Sequence, residues 1–290
     1  MKLLSTTFVL VLMSSCIKLD DIAFYNEILT EYQYDHFDGD IDFVLDSTFD
    51  VSDIHEFNIT SDGYTLSSVY IGKMADIPND TIILYCHGQT GHMDYYWQRT
   101  KLLANCGYKN RFGVFTFDYR GYGRSEGNPT EKGMYEDVRA AYEWLINAGS
   151  NPNNIILYGF SLGSAPATDL SAYGLNGQYP LKLILESPFA SADFLAQEST
   201  LIEVSASYIT NLEFDNVQKI SLVQQPLMWM HGTEDDYVAI SNGEAIVANY
   251  SGTDTTFIRV AGAKHGKNGV PQTMGFENYL QALEEFITKP

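Results

Sequence analysis

The chain has 290 residues, 45% hydrophobic and 19% charged, which is enough for one large α/β domain with a substantial core. Its 37 acidic residues against 17 basic ones leave a formal net charge of -20. That balance excludes a nucleic-acid binder, which needs a basic footprint, and excludes electrostatic attraction to anionic lipid.

The first residues stand apart from the fold. Lys2 precedes an apolar run from Leu3 to Met13 that is too short to span a bilayer. Met13-Ser14-Ser15-Cys16 follows, and it resembles the lipobox of bacterial lipoproteins, with Met13 where leucine is usual. The resemblance implies a signal peptide over residues 1–15, a lipidated Cys16 and an exported, membrane-anchored protein of the cell envelope. Residues 16–53 form an acidic lead-in with Lys18 as its one basic residue. Phe24, Tyr25, Ile28, Tyr32 and Tyr34 are interleaved with the acids, so part of this segment is expected to pack on the domain, which spans 54–290. Cys86 and Cys106 read as buried thiols, and neither has the spacing of a zinc site.

Strand and helix signals then alternate. Phe57, Ile59, Tyr64, Leu66 and Tyr70 around Ser61-Asp62-Gly63 predict a β-hairpin over 56–72. Bare apolar runs predict buried parallel strands at 81–86, 113–118, 155–160, 181–185 and 226–230, with a further strand at 256–260. Helices are expected at 95–106, from Pro129 to near Gly149, after Ser161, near 243–249 and at 276–287. Residues 187–225 interrupt this rhythm with helix-spaced apolar residues and read as a short lid insertion. If they cover a site, Phe189, Phe194 and Leu195 line an apolar acyl pocket; the alternative is extra core packing. The expected fold is α/β: a doubly wound, mostly parallel sheet with a short helical lid.

The chemistry centres on Gly159-Phe160-Ser161-Leu162-Gly163. A strand that reverses sharply into a helix needs glycines where its backbone meets neighbouring elements. Such a turn presents Ser161 at the end of the sheet and the N–H of Leu162 at a helix N-terminus. A serine hydroxyl needs a general base oriented by a carboxylate, both in loops at the carboxyl ends of strands. Of the six histidines, His265 follows the last strand and fits the base. His36 and His55 lie outside any such loop, His87 and His231 precede glycines and read as structural, and His92 is a possible substrate contact. In the loop after the preceding strand, Asp235 and Asp236 compete for the acid, with Glu234 behind them.

With these residues in place, the sequence resembles an α/β-hydrolase over essentially all of the mature chain, in the branch of serine aminopeptidase-like hydrolases, monoacylglycerol lipases and depalmitoylating thioesterases. The stretches that carry it are His87-Gly88-Gln89-Thr90-Gly91, Asp118-Tyr119-Arg120-Gly121-Tyr122-Gly123-Arg124-Ser125, Gly159-Phe160-Ser161-Leu162-Gly163 and His231-Gly232-Thr233-Glu234-Asp235. The resemblance implies a catalytic triad of Ser161, Asp235 and His265, selecting Asp235 over Asp236, with an oxyanion hole from the N–H groups of Gln89 and Leu162. It implies a serine hydrolase for small to medium acyl esters or thioesters, with no metal or organic cofactor. Two alternatives stay open. One is an exopeptidase using the same triad, with Glu186, Asp193 or Glu198 binding a substrate amine; the other is a non-catalytic binding module.

Overall fold

The computed structural model describes residues 24–36, 39–41, 50–107, 112–194 and 211–290. Cys16, Leu195, Glu198 and much of the expected lid lie outside them. The described strands are β1 (Ile54–Ser61), β2 (Tyr64–Ile71), β3 (Ile82–Cys86), β4 (Gly113–Phe117), β5 (Ile155–Phe160), β6 (Lys182–Glu186), β7 (Leu227–Gly232) and β8 (Thr255–Val260). They form one sheet in the order β1-β2-β4-β3-β5-β6-β7-β8. The hairpin β1–β2 pairs antiparallel from Ile54 opposite Ile71 to Ser61 opposite Tyr64. Its turn has φ +47° at Asp62 and +84° at Gly63, the left-handed pair that a two-residue hairpin loop requires. β2 is also antiparallel to β4, and every pairing from β4 through β3 to β8 is parallel.

The bare apolar runs become β3 to β7, buried along their whole length, because helices cover both faces. The helices are α1 (Trp97–Ala104), α2 (Glu131–Asn147), α3 (Ser164–Tyr173), α4 (Asn216–Ile220), α5 (Ile240–Asn249), α6 (Val270–Met274) and α7 (Phe276–Thr288). Alternate strand residues face opposite cores. Leu84, Phe115 and Leu157 pack with Val138 and Leu145 of α2 and Leu170 of α3, while Ile83, Tyr85 and Ile156 pack with Leu102 of α1 and Leu283 of α7. α2 starts where the Thr130 hydroxyl accepts from Gly133 N at 3.0 Å, the cap expected of Pro129-Thr130. α1 is shorter than the predicted 95–106, and the chain leaves it through Gly107 at φ +72°. α6 went unpredicted, since five residues are too few for a helical period to show.

The described part of the acidic lead-in packs as a strap. Gly91 N donates to Tyr25 O at 2.8 Å and Leu29 N to Gly123 O at 2.8 Å, so residues 24–36 run across the loops that follow β3 and β4. Asp94 accepts from Tyr34 N at 2.8 Å, Tyr32 OH donates to Asp118 Oδ2 at 2.6 Å, and Asp40 N donates to Tyr95 O at 2.9 Å.

Candidate active site

Ser161 stands where β5 turns into α3, with φ +50°, a left-handed conformation that a side chain adopts only under constraint. The constraint is packing at its flanking glycines. A Cβ on Gly159 would lie 2.7 Å from Gly163 O and from Ser164 Cα, and one on Gly163 would lie 2.6 Å from His87 O. β5 therefore presses directly against the start of its own helix and against the end of β3, and no other residue type fits at either position. Ser161 to Gly163 form a single tight turn that runs into α3, which sets the Leu162 N–H at the positive end of the helix.

Two loops bring the remaining groups to the serine. Ser161 Oγ lies 2.8 Å from His265 Nε2, and His265 Nδ1 lies 2.8 Å from Asp235 Oδ2. Asp235 Oδ1 accepts from Tyr237 N at 3.0 Å and Val238 N at 2.8 Å, which fixes the carboxylate. His231 Nε2 is 2.8 Å from Val238 O and 3.3 Å from Asp235 Oδ2, so it braces both the loop and the acid. Burial pushes the Asp235 carboxyl up, but the hydrogen bonds from His231 and His265 outweigh it and hold the group well below the usual carboxylate range. An ionised Asp235 only accepts, so His265 carries its proton on Nδ1 and offers Nε2 to the serine hydroxyl. The imidazole packs against Phe160, with ring centres 5.3 Å apart, and against Tyr237 at 5.1 Å. The competing acid Asp236 points away to solvent and pairs with Lys264 at 3.2 Å.

The loop after β3 is held equally firmly. His87 Nδ1 is 2.8 Å from Gly88 O and its Nε2 is 3.3 Å from Asp118 Oδ1, while Tyr119 OH donates to His87 O at 2.9 Å. Asp118 Oδ1 also accepts from Met93 N at 2.7 Å. This fastening positions Gln89 in the wall of a cavity of about 320 Å³ that contains Ser161 and His265. The rest of the wall includes Asp40, Thr90, Tyr96, Phe160 and Tyr237.

Phe189 and Phe194 do not line this cavity. Asn216 Nδ2 donates to Phe189 O at 2.9 Å and Ala190 N donates to Asn242 Oδ1 at 3.0 Å, which draws the chain after β6 down toward α4 and α5. Phe189 is consequently buried in the core against Phe214, and Tyr96, Phe160 and Tyr237 supply the aromatic wall instead. Phe194 is half-buried, its N–H donating to Ser191 Oγ at 3.1 Å. His92 is buried away from the cavity, 3.6 Å from Glu27. Glu186, a candidate for binding an amine, is 1% exposed and already committed to Arg99, Tyr158 and Tyr279. Asp40, Tyr96 and Tyr237 carry no motif, and only their spatial neighbours reveal them.

A family model for the alpha/beta hydrolase fold matches residues 81–198. The human Alpha/beta hydrolase domain-containing protein 17B is 32% identical over 213 residues, covering 71% of this chain and 66% of the human protein. The mouse Alpha/beta hydrolase domain-containing protein 17C is 32% identical over 211 residues, covering 71% of this chain and 59% of the mouse protein. The chain thus spans under two thirds of the length of these curated relatives. Among solved structures, an esterase of Pyrococcus furiosus, Pf2001, superposes with a TM-score of 0.61 at 19% identity over 84% of this chain and 96% of that one. Est1E from Butyrivibrio proteoclasticus, bound to ferulic acid, does so with a TM-score of 0.63 at 16% identity over 80% and 97%. These structural likenesses speak to the fold alone. With a sheet in this strand order and relatives that match most of its length, the chain belongs to the alpha/beta hydrolase superfamily.

Proposed function

We propose that the protein is a serine hydrolase that cleaves carboxylic ester or thioester bonds of small to medium acyl substrates. The observation that carries this reading is the hydrogen-bonded chain from Ser161 through His265 to Asp235, opening onto a cavity. His265 Nε2 takes the hydroxyl proton as Ser161 Oγ bonds the acyl carbon. The carbonyl oxygen becomes an oxyanion, which the N–H groups of Gln89 and Leu162 stabilise, each donor contributing on the order of 3 kcal/mol. Asp235 stabilises the imidazolium, which then returns the proton to the departing alcohol or thiol. Water, deprotonated by His265, releases the acid and restores Ser161. A cavity of about 320 Å³ sits at the small end of ligand pockets and supports a short or medium acyl group.

The test is labelling by a fluorophosphonate probe. Wild type is expected to label and Ser161→Ala to remain unlabelled; equal labelling of both refutes Ser161 as the nucleophile. Hydrolysis of p-nitrophenyl esters ahead of aminoacyl-anilides is expected, and the reverse order favours an exopeptidase. A lipid anchor on Cys16 completes the proposal: Cys16→Ser should release the protein from membranes of the expressing cell, and retention refutes the anchor.

A further inference from the structure

Acyl transfer assigns the Gln89 N–H to the oxyanion without using the side chain that holds that peptide. The next N–H along, that of Thr90, donates to Tyr96 Oη at 3.2 Å. On the other side of Gln89, a Cβ on Gly88 would lie 2.5 Å from the same phenol oxygen and 3.2 Å from Tyr96 Cζ. The tip of one side chain is therefore seated against both neighbours of Gln89, where it sets the direction of the peptide between them. The ring behind it is 3% exposed, stacks on His87 with centres 5.1 Å apart, and meets Phe160 edge-on at 6.1 Å. Phe160 leads into the Ser161 turn that carries the Leu162 N–H. Tyr96 thus touches both segments from which oxyanion donors come, and it lines the cavity with Gln89 and Ser161.

Tyr96 is itself pinned. Its N–H donates to Met93 O at 3.0 Å, its carbonyl accepts from Thr100 N at 2.9 Å, and Met93 N is tied to Asp118 Oδ1 at 2.7 Å. Burial pushes its hydroxyl well above the ordinary tyrosine range, so Oη stays that of a neutral phenol. A phenylalanine would fill the same space and pack equally on His87 and Phe160, but it would leave the Thr90 N–H without this acceptor. The hydroxyl is what couples the packed ring to the peptide beside Gln89. Such coupling matters because two N–H groups stabilise an oxyanion only when both converge on one oxygen, at about 2.7–3.1 Å.

We propose that Tyr96 is a positioning residue for the oxyanion hole: its hydroxyl and ring set the Gln89 N–H relative to the Leu162 N–H, so that both reach the oxyanion formed at Ser161. This rests on the acyl-transfer reading of Ser161.

Replacing the carbonyl oxygen by sulfur tests it, since a hole spaced for an oxyanion fits the larger and weaker-accepting sulfur poorly. p-Nitrophenyl butyrate and its thiono (C=S) analogue are compared by kcat/KM in wild type, Tyr96→Phe and Gly88→Ala. The last of these presses on the phenol oxygen from the side opposite Thr90. Wild type is expected to favour the oxygen ester. In Tyr96→Phe, kcat on the oxygen ester should fall about tenfold with KM within about twofold, a part of the roughly 10²–10³ lost when a donor is removed outright. The thionoester should fall much less, so that the oxygen-to-sulfur ratio drops by about threefold or more. The ratio is the readout, so damage to the triad or a general loss of activity cancels. A ratio that stays within about threefold of wild type overturns the proposal even if activity falls, because a residue that only packs leaves it unchanged. Should Tyr96→Phe not fold, Gly88→Ala decides by the same criterion. A wild-type ratio no greater than that of hydroxide-catalysed hydrolysis overturns the proposal without any variant. If wild type neither labels with fluorophosphonate nor cleaves any ester, the acyl-transfer reading fails first and the role of Tyr96 falls with it.

Discussion

Gly163→Ala isolates the steric demand of the serine turn from its chemistry. Gly163 has φ −62° and ψ −15°, which any residue adopts, so the site asks for space rather than for conformational freedom. A methyl group there would lie 2.5 Å from Cys86 C and 2.6 Å from His87 O, with Cys86 O nearer still. Contacts under 3.0 Å are essentially never observed for a Cβ, so the turn and the end of β3 must part by about an ångström. None of these atoms is a side chain that can swing aside, and the strain falls on the two loops that carry Ser161 and Gln89. Overpacking of this kind costs about 1–3 kcal/mol, or a drop of roughly 2–5 °C in Tm for a chain of this size. A productive site tolerates errors of about 0.5 Å, so kcat/KM on a p-nitrophenyl ester should fall about 10–100-fold. Gly266→Ala is the control for Tm, since nothing lies within 4 Å of its Cβ. A Gly163→Ala enzyme with wild-type Tm and kcat/KM within about threefold would refute the argument that β3 and the serine turn are locked by contact.

Asp235→Asn should lower kcat on the order of 10³-fold or more, whereas Asp236→Asn, which loses one exposed ion pair, should stay within about twofold; a larger loss from Asp236 refutes the assignment. The folded carboxyl of Asp235 lies below its ordinary 3.8, so the fold favours its ionised form. Its contribution is fully present above pH about 4 and is lost as the pH falls further. Urea titrations of wild type against Asp235→Asn should therefore show a constant gap between pH 5 and 8 that narrows in acid, and a gap that widens in acid contradicts this. Ser161→Gly relieves the left-handed strain that Ser161→Ala retains, so the glycine variant should be about 1 kcal/mol the more stable, roughly 2–4 °C in Tm; equal melting temperatures would show the turn to be unstrained. Cys86 and Cys106 are buried, and burial pushes the Cys86 thiol up. In a Cys16→Ser background neither should react with a thiol reagent until the protein is denatured, and rapid native labelling would refute their burial.

The order of elements and the serine turn were legible in the chain because both rest on local chemistry. Buried strands declare themselves by uninterrupted apolar runs such as 155–158, and the turn at Ser161 by glycines that no other residue can replace. The placement of His265 and Asp235 in loops after the last two strands follows from the topology of a parallel sheet, which collects such loops at one end. What lines the cavity was not legible. Phe189 is aromatic like a pocket residue, yet a hydrogen bond from Asn216 and one accepted by Asn242 draw its segment into the core. Asp40 is one acid among many in the lead-in, and nothing in its neighbours along the chain distinguishes it. It enters the wall because the strap is fastened to Gly91, Asp94 and Tyr95, and because Arg99 on α1 pairs with it. The sequence by itself determined the sheet, the serine turn and the order of the candidate triad, all set by patterns a few residues long. Only the tertiary structure decided which side chains meet around Ser161, since that depends on contacts between residues distant in the chain.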